Sequence, residues 1–459
     1  MNKPEALDTL AQRLRLTPYQ AYSYSYPHKS AYRKLPAPQS LAALWGGEDR
    51  SALFGYIHVP FCSMRCGFCN LFAMARPEPA LVDRYVAQVV RQMRVMDEQL
   101  GKRRFARFAI GGGTPTYLSA AQLGQLFDGI QGILGVDLHN VPSGIEASPE
   151  TVSAEKLAVC RDAGVSRVSL GIQSFSSAEM RALVRLQQNS VVRTAIERIR
   201  EAAFPVLNLD LIYGIAGQTK ASLLASIDSA LSFAPEEIYL YPLYIREQTG
   251  LGRIKRRHDD GSRDYLHLIP ETDTRLDLYT AARDHLRAAG YTQTSMRMFR
   301  APHAPDQGGP VYCCQNDGMV GLGAGARSYT RALHYSSEYA IGRSDTRHII
   351  DNYVALDDAH FAQAWHGFQL DAEDQRRRFV IQSILTEPGL RYADYLQRFG
   401  SHCLEDLPQL NELFALQLVV DDGSGIRLND EGYAHADTIG PWLVSAKVRS
   451  LMEATEAAC

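Results

Sequence analysis

The sequence predicts an α/β protein built on a six-stranded parallel partial barrel, with an N-terminal arm and a C-terminal helical domain like a winged helix. Two observations predict this architecture. Between about residues 54 and 245, short β-branched runs alternate with segments of helical period, which is the pattern of a parallel sheet with crossover helices. After about residue 367, helical segments are followed by two short β-rich runs around Asp421-Asp-Gly-Ser-Gly, as in helices that carry a small β-wing.

The barrel is predicted from six β/α units in order. The predicted strands are residues 55–60, 105–110, 143–147, 167–172, 206–213 and 237–243. Amphipathic segments at 80–99, 120–134, 151–163 and 219–233 predict helices between them. In such a (β/α)6 arrangement the active site is expected at the C-terminal ends of the strands. In the C-terminal domain, helices at 371–385, 392–399 and 407–414 precede a predicted hairpin of residues 416–420 and 426–428.

These elements divide the 459 residues into four expected segments: an N-terminal arm or lid (1–50), the barrel (51–250), a barrel extension with the substrate mouth (251–365) and the C-terminal domain (366–459). The first segment is irregular and rich in tyrosine, so it is interpreted either as an extended arm packed on the barrel or as a lid over its mouth. The basic stretch 253–263 is expected to form a solvated loop.

Composition excludes several classes of protein. The net charge is −3, from 48 basic and 51 acidic residues, so no overall field favours nucleic acid or an anionic membrane as a partner. The N-terminus lacks an apolar signal core, and no run approaches the length needed to span a bilayer. Outside the motif described next, the cysteines lack disulfide-like spacing. We therefore expect a cytoplasmic protein.

The motif with the most chemical content is C-x3-C-x2-C, formed by Cys62, Cys66 and Cys69 just after the first predicted strand. Three thiolates on one loop can each bind one iron of a 4Fe–4S cluster and leave the fourth iron open to a small molecule. A structural zinc site would require a further Cys or His with its own spacing, and none follows Cys69 within the usual window. The spacing therefore favours the cluster.

Polar and glycine residues follow the next predicted strands. Gly111-Gly-Gly-Thr-Pro-Thr comes directly after the second strand, where it forms either a tight turn or a loop whose N–H groups bind a carboxylate or phosphate. Glu146, Gln173 and Asp210 lie at or near the ends of three further strands. Any one of them could be a buried residue that hydrogen-bonds to polar groups of the core, but three such residues at one rim of the barrel favour a ligand site.

Together these strings resemble the radical S-adenosylmethionine (SAM) superfamily, whose cluster loop has this spacing and an aromatic residue before the third cysteine, as Phe68 is here. From about residue 24 to residue 442, the sequence resembles specifically the oxygen-independent coproporphyrinogen III dehydrogenase (oxidase) group. This resemblance implies a barrel of the radical SAM type, a 4Fe–4S cluster as catalytic centre, a small-molecule substrate and a flavodoxin- or ferredoxin-type electron donor.

The resemblance also implies binding residues, because two SAM molecules can occupy the site in that family. Those assigned to the SAM at the cluster are Tyr56, Gly112, Glu146 and Arg327. Those assigned to the second SAM are Phe68, Gly113, Thr114, Gln173, Arg185, Asp210 and Pro242.

The implied reaction begins with reductive cleavage of SAM to methionine and a 5′-deoxyadenosyl radical, which abstracts hydrogen from the substrate. Two outcomes compete: oxidation with decarboxylation, as in the porphyrinogen dehydrogenases, and methyl transfer from the second SAM, as in related two-SAM methyltransferases. Leu71 stands where the dehydrogenases carry a further cysteine, which slightly favours methyl transfer.

The alternative function is that of a haem chaperone, since relatives with the same cysteine spacing deliver haem. Those relatives carry Arg-His-Asn where this chain has Cys314-Gln-Asn and usually lack a long N-terminal arm, so the enzyme is favoured. The adjacent Cys313 and Cys314 are interpreted either as buried, inert thiols or as a reactive pair. Arg297 and Arg300 are expected either to bind substrate carboxylates or to lie on a solvated strand edge.

Overall fold

The computed structural model of the chain describes residues 9–16, 19–23, 25–259, 266–306, 318–338 and 342–458. It divides into two compact units. The larger comprises Lys34–Thr292 and Phe299–Gly367, and the smaller comprises Met1–Arg33, Gln293–Met298 and Phe368–Cys459. Both units are discontinuous in sequence, and the finer four-segment division stays a prediction.

The strands of the described chain are β1 (Arg33–Ser40), β2 (Leu53–Val59), β3 (Phe61–Cys62), β4 (Met74–Ala75), β5 (Phe105–Gly112), β6 (Ser143–Ala147), β7 (Arg167–Gln173), β8 (Val206–Tyr213), β9 (Glu237–Pro242), β10 (Thr292–Gln293), β11 (Met298–Arg300), β12 (Met319–Leu322), β13 (Arg327–Tyr329), β14 (Leu333–Ser336), β15 (Gln363–Gln369), β16 (Leu390–Arg391), β17 (Val419–Asp421) and β18 (Gly425–Leu428).

The α-helices are α1 (Leu10–Leu16), α2 (Leu41–Gly46), α3 (Pro79–Leu100), α4 (Ala120–Gly132), α5 (Ala154–Asp162), α6 (Ser177–Ala182), α7 (Asn189–Glu201), α8 (Lys220–Leu231), α9 (Gly250–Asp259), α10 (Arg275–Ala288), α11 (Arg343–Tyr353), α12 (Asp358–Phe361), α13 (Ala372–Ile384), α14 (Tyr392–Phe399), α15 (Cys403–Asp406), α16 (Asn411–Ala415), α17 (Asp430–Ala434), α18 (Ala436–Trp442) and α19 (Ala446–Ala458). No helix among the described residues is long and apolar enough to cross a membrane.

The six predicted strands are confirmed as β2, β5, β6, β7, β8 and β9, with ends within two residues of those expected. They lie side by side in sequence order and pair in parallel. Their near-continuous burial, such as that of β8, is typical of strands covered on both faces. The sheet extends beyond these six strands, because β12 adds a further parallel neighbour to β2 and continues into antiparallel β13 and β14.

Helix starts in the larger unit are explained by local sequence. Ser119 and Gln122 form a capping box at the start of α4, so two free N–H groups of the first turn are satisfied. Pro79 occupies the first position of α3, where its missing N–H costs nothing. These helices return the chain so that all six strands point the same way, and the thiol loop, the glycine loop and the strand-end polar residues meet at one edge of the sheet.

The first 50 residues are more regular than the sequence predicted, because they contain α1, β1 and α2. The described residues up to Arg33 belong to the same compact unit as the C-terminal segment. Backbone N–H groups of Gln20 and Ala21 both donate to the Asp437 carbonyl, and the Tyr26 hydroxyl donates to Asp374 at 2.7 Å. The expectation of an irregular segment is therefore wrong for these residues, and its role as an arm or lid on the barrel stays a prediction.

The expectation of a solvated loop at 253–263 is wrong for residues 253–259, which belong to α9. Leu251 is buried, and Ile254 packs beside Phe68 and Leu183 in an apolar cluster. The three consecutive basic residues Lys255, Arg256 and Arg257 concealed this apolar side in the sequence. Residues 260–263 lie outside the described ranges.

The smaller unit has the predicted helices followed by a wing. β17 and β18 form the expected antiparallel hairpin, and β16 pairs with the far edge of β18 to make a third strand. The first helix, α13, begins with a capping box between Asp371 and Asp374. The third predicted helix is a 3-10 turn from Pro408 to Leu410 followed by the short α16.

Candidate active site

The thiol loop directly follows β2 and is held against the glycine loop that follows β5. The Thr114 N–H donates to the Phe61 carbonyl at 2.8 Å, and the Thr114 hydroxyl donates to the Cys62 thiol at 3.5 Å. A Cβ atom on Gly113 would lie 2.7 Å from the Phe61 carbonyl oxygen and 2.9 Å from Cys62 Sγ. Glycine is therefore needed here, because any side chain would displace the first cysteine.

The three thiols are suited to a cluster. Cys62, Cys66 and Cys69 are thiols outside any disulfide, and all three are partly accessible. Desolvation raises the pKa of the Cys62 thiol to about 12 and also raises the pKa of Cys66, so iron binding must displace their protons. In the described ranges, no three Cys, His, Asp or Glu side chains converge as ligands of a single metal ion. A cubane cluster has no such requirement, because each thiolate binds a different iron.

Tyr56 and Gly112 lie around His58 on β2. The His58 ring is buried, with Nε2 at 3.0 Å from the Phe72 carbonyl oxygen and Nδ1 at 3.1 Å from the Tyr56 hydroxyl. Gly112 has φ of +122°, and a Cβ there would lie 2.8 Å from the imidazole. The imidazole thus braces both Tyr56 and the glycine loop.

Glu146 projects from β6 toward the glycine loop. Its Oε2 accepts a hydrogen bond from the Gly112 N–H at 3.0 Å. The side chain keeps accessible surface, yet desolvation by the surrounding protein raises the pKa of its carboxyl to about 7, with a further increase from nearby Asp210. Exposed surface combined with strong desolvation indicates that the carboxyl faces an interior space rather than bulk solvent. A ligand that donates hydrogen bonds there would relieve the cost of its charge.

Asp210 interrupts the buried run of β8 and is supported by a neighbour. Asn208 Nδ2 donates to Asp210 Oδ1 at 2.7 Å, while Asn208 Oδ1 is buried without a hydrogen-bond partner. Desolvation raises the pKa of Asp210 to about 6 despite the opposing effects of Arg167 and Arg185. Like Glu146, this carboxylate lacks enough polar partners of its own.

Gln173 ends β7 in an unusual backbone conformation. Its φ is +65°, and the pairing of β7 with β8 shifts register between Gly171 and Gln173. A non-glycine residue in the left-handed region is strained and must be held by its surroundings. The bulge turns the amide back over the strand, since a Cβ on Gly171 would lie 2.8 Å from Gln173 Nε2.

Arg185 connects the thiol loop with the strand ends. Only 7% of its side chain is accessible. The guanidinium lies 3.9 Å from both the Cys66 thiol and the Glu150 carboxylate. Nη2 donates to the Gly171 carbonyl at 2.8 Å. Nε is buried and has no hydrogen-bond partner. A buried cation with an unpaired donor, whose nearest carboxylate is 3.9 Å away, is suited to bind a further carboxylate.

The three remaining predicted residues belong to separate segments of the larger unit. Phe68 packs in the apolar cluster with Leu183 and Leu251. Pro242 is the buried last residue of β9, and Arg327 begins β13 with its guanidinium 5.8 Å from the Tyr329 ring centroid. Contacts of these three with SAM stay predictions. Cys313 and Cys314 lie outside the described residues.

Two features of the site were missed by sequence reasoning. Tyr239 and Tyr241 on β9 stack with ring centroids 5.8 Å apart, and Tyr239 is the register partner of Asp210. Arg167 forms a buried ion pair with Glu237 at 2.7 Å and lies against the Tyr239 ring. The two tyrosines are two residues apart on one strand, so their side chains lie on the same face of the sheet. This spacing could have predicted the pair from the sequence.

The two candidate mouth arginines have separate places. Arg297 pairs with buried Asp437 in the smaller unit, and its guanidinium stacks on the Tyr22 ring at 3.7 Å. Arg300 lies 3.5 Å from Glu237 in the larger unit. The solvated-edge interpretation is wrong for Arg297, which is only 4% exposed.

Comparisons with known proteins agree with this geometry. A sequence profile of the radical SAM superfamily matches residues 56–230, and one of the HemN C-terminal domain matches residues 370–435. Oxygen-independent coproporphyrinogen III oxidase of Pseudomonas aeruginosa is 27% identical over 399 residues, covering 82% of each chain. Heme chaperone HemW of Bacillus subtilis is 32% identical over 277 residues, covering 60% of this chain and 70% of the relative.

Among solved structures, coproporphyrinogen III oxidase (HemN) from Escherichia coli superposes with a TM-score of 0.78 at 22% identity, covering 92% of this chain and 97% of the other. The fold and the three-thiol loop define a radical SAM protein. Within that superfamily, the chain belongs to the oxygen-independent coproporphyrinogen III oxidase-like family, whose relatives include both oxidases and heme chaperones.

Proposed function

We propose that the chain is a radical SAM enzyme that abstracts hydrogen from a small organic substrate, with electrons from a flavodoxin- or ferredoxin-type donor. The observation that supports this most is the position of Arg185. It lies beside the Cys66 thiol and reaches the Gly171 carbonyl, with its Nε left unpaired. A residue that joins the thiol loop to the strand ends is suited to bind a cofactor carboxylate between them.

The roles of the chain's own residues follow from their contacts. Cys62, Cys66 and Cys69 would hold a 4Fe–4S cluster, which supplies one-electron reductive cleavage of SAM and so a 5′-deoxyadenosyl radical. Glu146, which already accepts from the Gly112 N–H, is suited to accept a hydrogen bond from the first SAM with its other carboxylate oxygen. Arg185 is suited to donate hydrogen bonds to the second SAM and Asp210 to accept them from it.

Two substrate outcomes remain within this proposal. Relatives named oxygen-independent coproporphyrinogen III oxidase support oxidation with loss of carbon dioxide. Leu71, in place of the further cysteine of the dehydrogenases, is the feature that favours methyl transfer from the second SAM. Both begin with the same hydrogen abstraction, and product mass distinguishes them, because one loses a carboxyl group and the other gains a methyl group.

The test is anaerobic incubation of the reconstituted protein with SAM, a strong reductant and candidate substrates deuterated at the reacting carbon. We expect 5′-deoxyadenosine to form and to acquire deuterium from the true substrate. The matched control replaces all three cluster cysteines by alanine and should form none. Absence of 5′-deoxyadenosine from protein with a full cluster would contradict the proposal.

A haem chaperone is the second candidate, and one observation favours it. Over the region they share, the chain is more similar to heme chaperone HemW of Bacillus subtilis, at 32% identity, than to the Pseudomonas oxidase, at 27% over a longer region. Haem titration of the same reconstituted sample, followed by absorbance, tests this candidate. Stoichiometric haem binding without SAM cleavage would favour the chaperone over the enzyme.

A further inference from the structure

The thiol loop is clamped at Gly67, the residue between Cys66 and Phe68. On one side its N–H donates to the Leu183 carbonyl at 3.0 Å, and on the other its carbonyl accepts from the Leu251 N–H at 2.8 Å. A Cβ on Gly67 would lie 2.8 Å from Val184 Cβ. The turn after α6 and the start of α9 therefore both lie against the residue next to a cluster ligand.

The turn after α6 exposes apolar side chains beside this loop. Val184 is 46% exposed and Leu186 is 80% exposed. Val184 is also held at φ of +51°, where a β-branched residue is a clear outlier. Single exposed apolar residues are common on protein surfaces. A strained valine held against the cluster loop, two residues before an exposed leucine, indicates a surface whose shape is constrained.

Helix α9, which flanks Gly67 from the other side, carries a positive face. Arg253, Arg256 and Arg257 are exposed and spaced three and four residues apart, so they share one side of the helix, opposite buried Leu251. The chain as a whole carries a net charge of −3. The positive potential here therefore comes from the clustering of these arginines and not from the net charge of the protein. The nearby Glu247 carboxylate lies 4.0 Å from Arg256, and both side chains are mostly exposed, so it cancels little of the field.

We propose that Val184, Leu186, Arg253, Arg256 and Arg257 form a docking face for an acidic one-electron carrier protein. The inference rests on the proposed function, because a cluster that cleaves SAM must receive one electron per turnover. The carrier is oxidised by one electron, and the cluster is reduced by one. Complementary charge favours an acidic partner, and the exposed apolar residues on the other segment that flanks Gly67 favour a protein surface over a polyphosphate. Docking here brings the carrier next to Gly67 and hence next to the Cys66 ligand.

The test measures the rate of cluster reduction by stopped-flow absorbance under anaerobic conditions, with flavodoxin hydroquinone as the probe. The variant R253E/R256E/R257E should lower the second-order rate constant at least tenfold at low ionic strength and flatten its dependence on salt, because charge steering accelerates association by about 10- to 1,000-fold. L186S should slow reduction and leave the salt dependence intact.

The matched control, K102E/R104E/R161E, carries the same change in charge on exposed residues that precede β5 and β7, at the opposite edge of the sheet. It should reduce at the rate of the unaltered protein. Reduction by photoreduced 5-deazariboflavin, a small uncharged donor, should be equal in all variants and report whether each cluster is intact.

Two results would overturn the docking face: equal rates for R253E/R256E/R257E and the unaltered protein, or failure of flavodoxin hydroquinone to reduce a cluster that deazariboflavin reduces. Failure of the proposed function is distinguishable from both, since it would appear as absence of 5′-deoxyadenosine after deazariboflavin reduction.

Discussion

Replacing Glu146 by glutamine separates its role in binding from any role in stability. The carboxylate is expected to accept hydrogen bonds from SAM, and loss of such a charged acceptor costs about 1.5–3 kcal/mol. That range corresponds to an increase in the Kd for SAM of about 10- to 150-fold. The fold should survive, because the internal contact of Oε2 is one hydrogen bond from the Gly112 N–H and glutamine retains an acceptor oxygen.

The same substitution should change the pH dependence of stability with a definite sign. Desolvation raises the folded-state pKa of Glu146 to about 7, well above its unfolded value, so the folded protein holds this proton more tightly than the unfolded chain. Stability of the SAM-free protein therefore falls as pH rises from about 5 to 7 and the carboxyl ionises. E146Q lacks this loss, so its melting temperature relative to the unaltered protein should increase between pH 5 and pH 8.

The assay combines equilibrium SAM binding with thermal melting of the reconstituted protein at several pH values. Glu155→Gln, at an exposed position in the first turn of α5, serves as the matched control and should change neither quantity appreciably. Unchanged SAM affinity together with a large drop in melting temperature at pH 8 would refute the reasoning, because it would make Glu146 a stabilising group of the core.

Three further predictions concern other parts of the molecule. Arg185→Ala should lower the number of SAM molecules bound per chain, measured by equilibrium dialysis, from two to about one. Arg185→Lys should not restore the second, because a bidentate contact needs a guanidinium. One equivalent bound by the unaltered protein would contradict the second site. Gly113→Ala should lower the iron content, since the added methyl group would meet a loop carbonyl oxygen at 2.7 Å, whereas Gly124→Ala, with nothing within 4 Å, should keep full iron. Arg297→Ala should lower the free energy of unfolding by about 3–5 kcal/mol in denaturant titrations, because it removes one member of a buried ion pair with Asp437. A change below about 1 kcal/mol would contradict that estimate.

The sheet was predictable because its strands are buried on both faces and interrupted by helices of clear period. Runs such as Val206–Tyr213 have a local composition that fixes them as strands wherever they pair. The additional parallel strand β12 was missed because Met319–Leu322 is short and follows a glycine-rich stretch, so its pairing with β2 depends on contacts distant in sequence.

Helix α9 and the N-terminal segment were mispredicted for different reasons. In α9 the apolar side rests on Leu251 and Ile254 alone, which is too weak a pattern to outweigh a run of basic residues. In the N-terminal segment, partners such as Asp374 and Asp437 are more than 300 residues away, so its order comes from tertiary contacts that a local pattern cannot reveal.

The candidate site was predictable in its motifs and unpredictable in its connections. Cysteine spacing and strand-end polar residues identified the groups that could bind a cofactor. The bracing of Tyr56 by His58 and the support of Asp210 by Asn208 depend on side-chain directions that follow only from the folded strands.

The most direct test of the account is the iron and acid-labile sulfide content of anaerobically reconstituted protein, measured together with SAM cleavage. The account predicts about four irons and four sulfides per chain and formation of 5′-deoxyadenosine on reduction, with both lost when Cys62, Cys66 and Cys69 are replaced by alanine. Iron and sulfide that remain after the triple replacement, or a full cluster that never cleaves SAM in the presence of reductant, would contradict it.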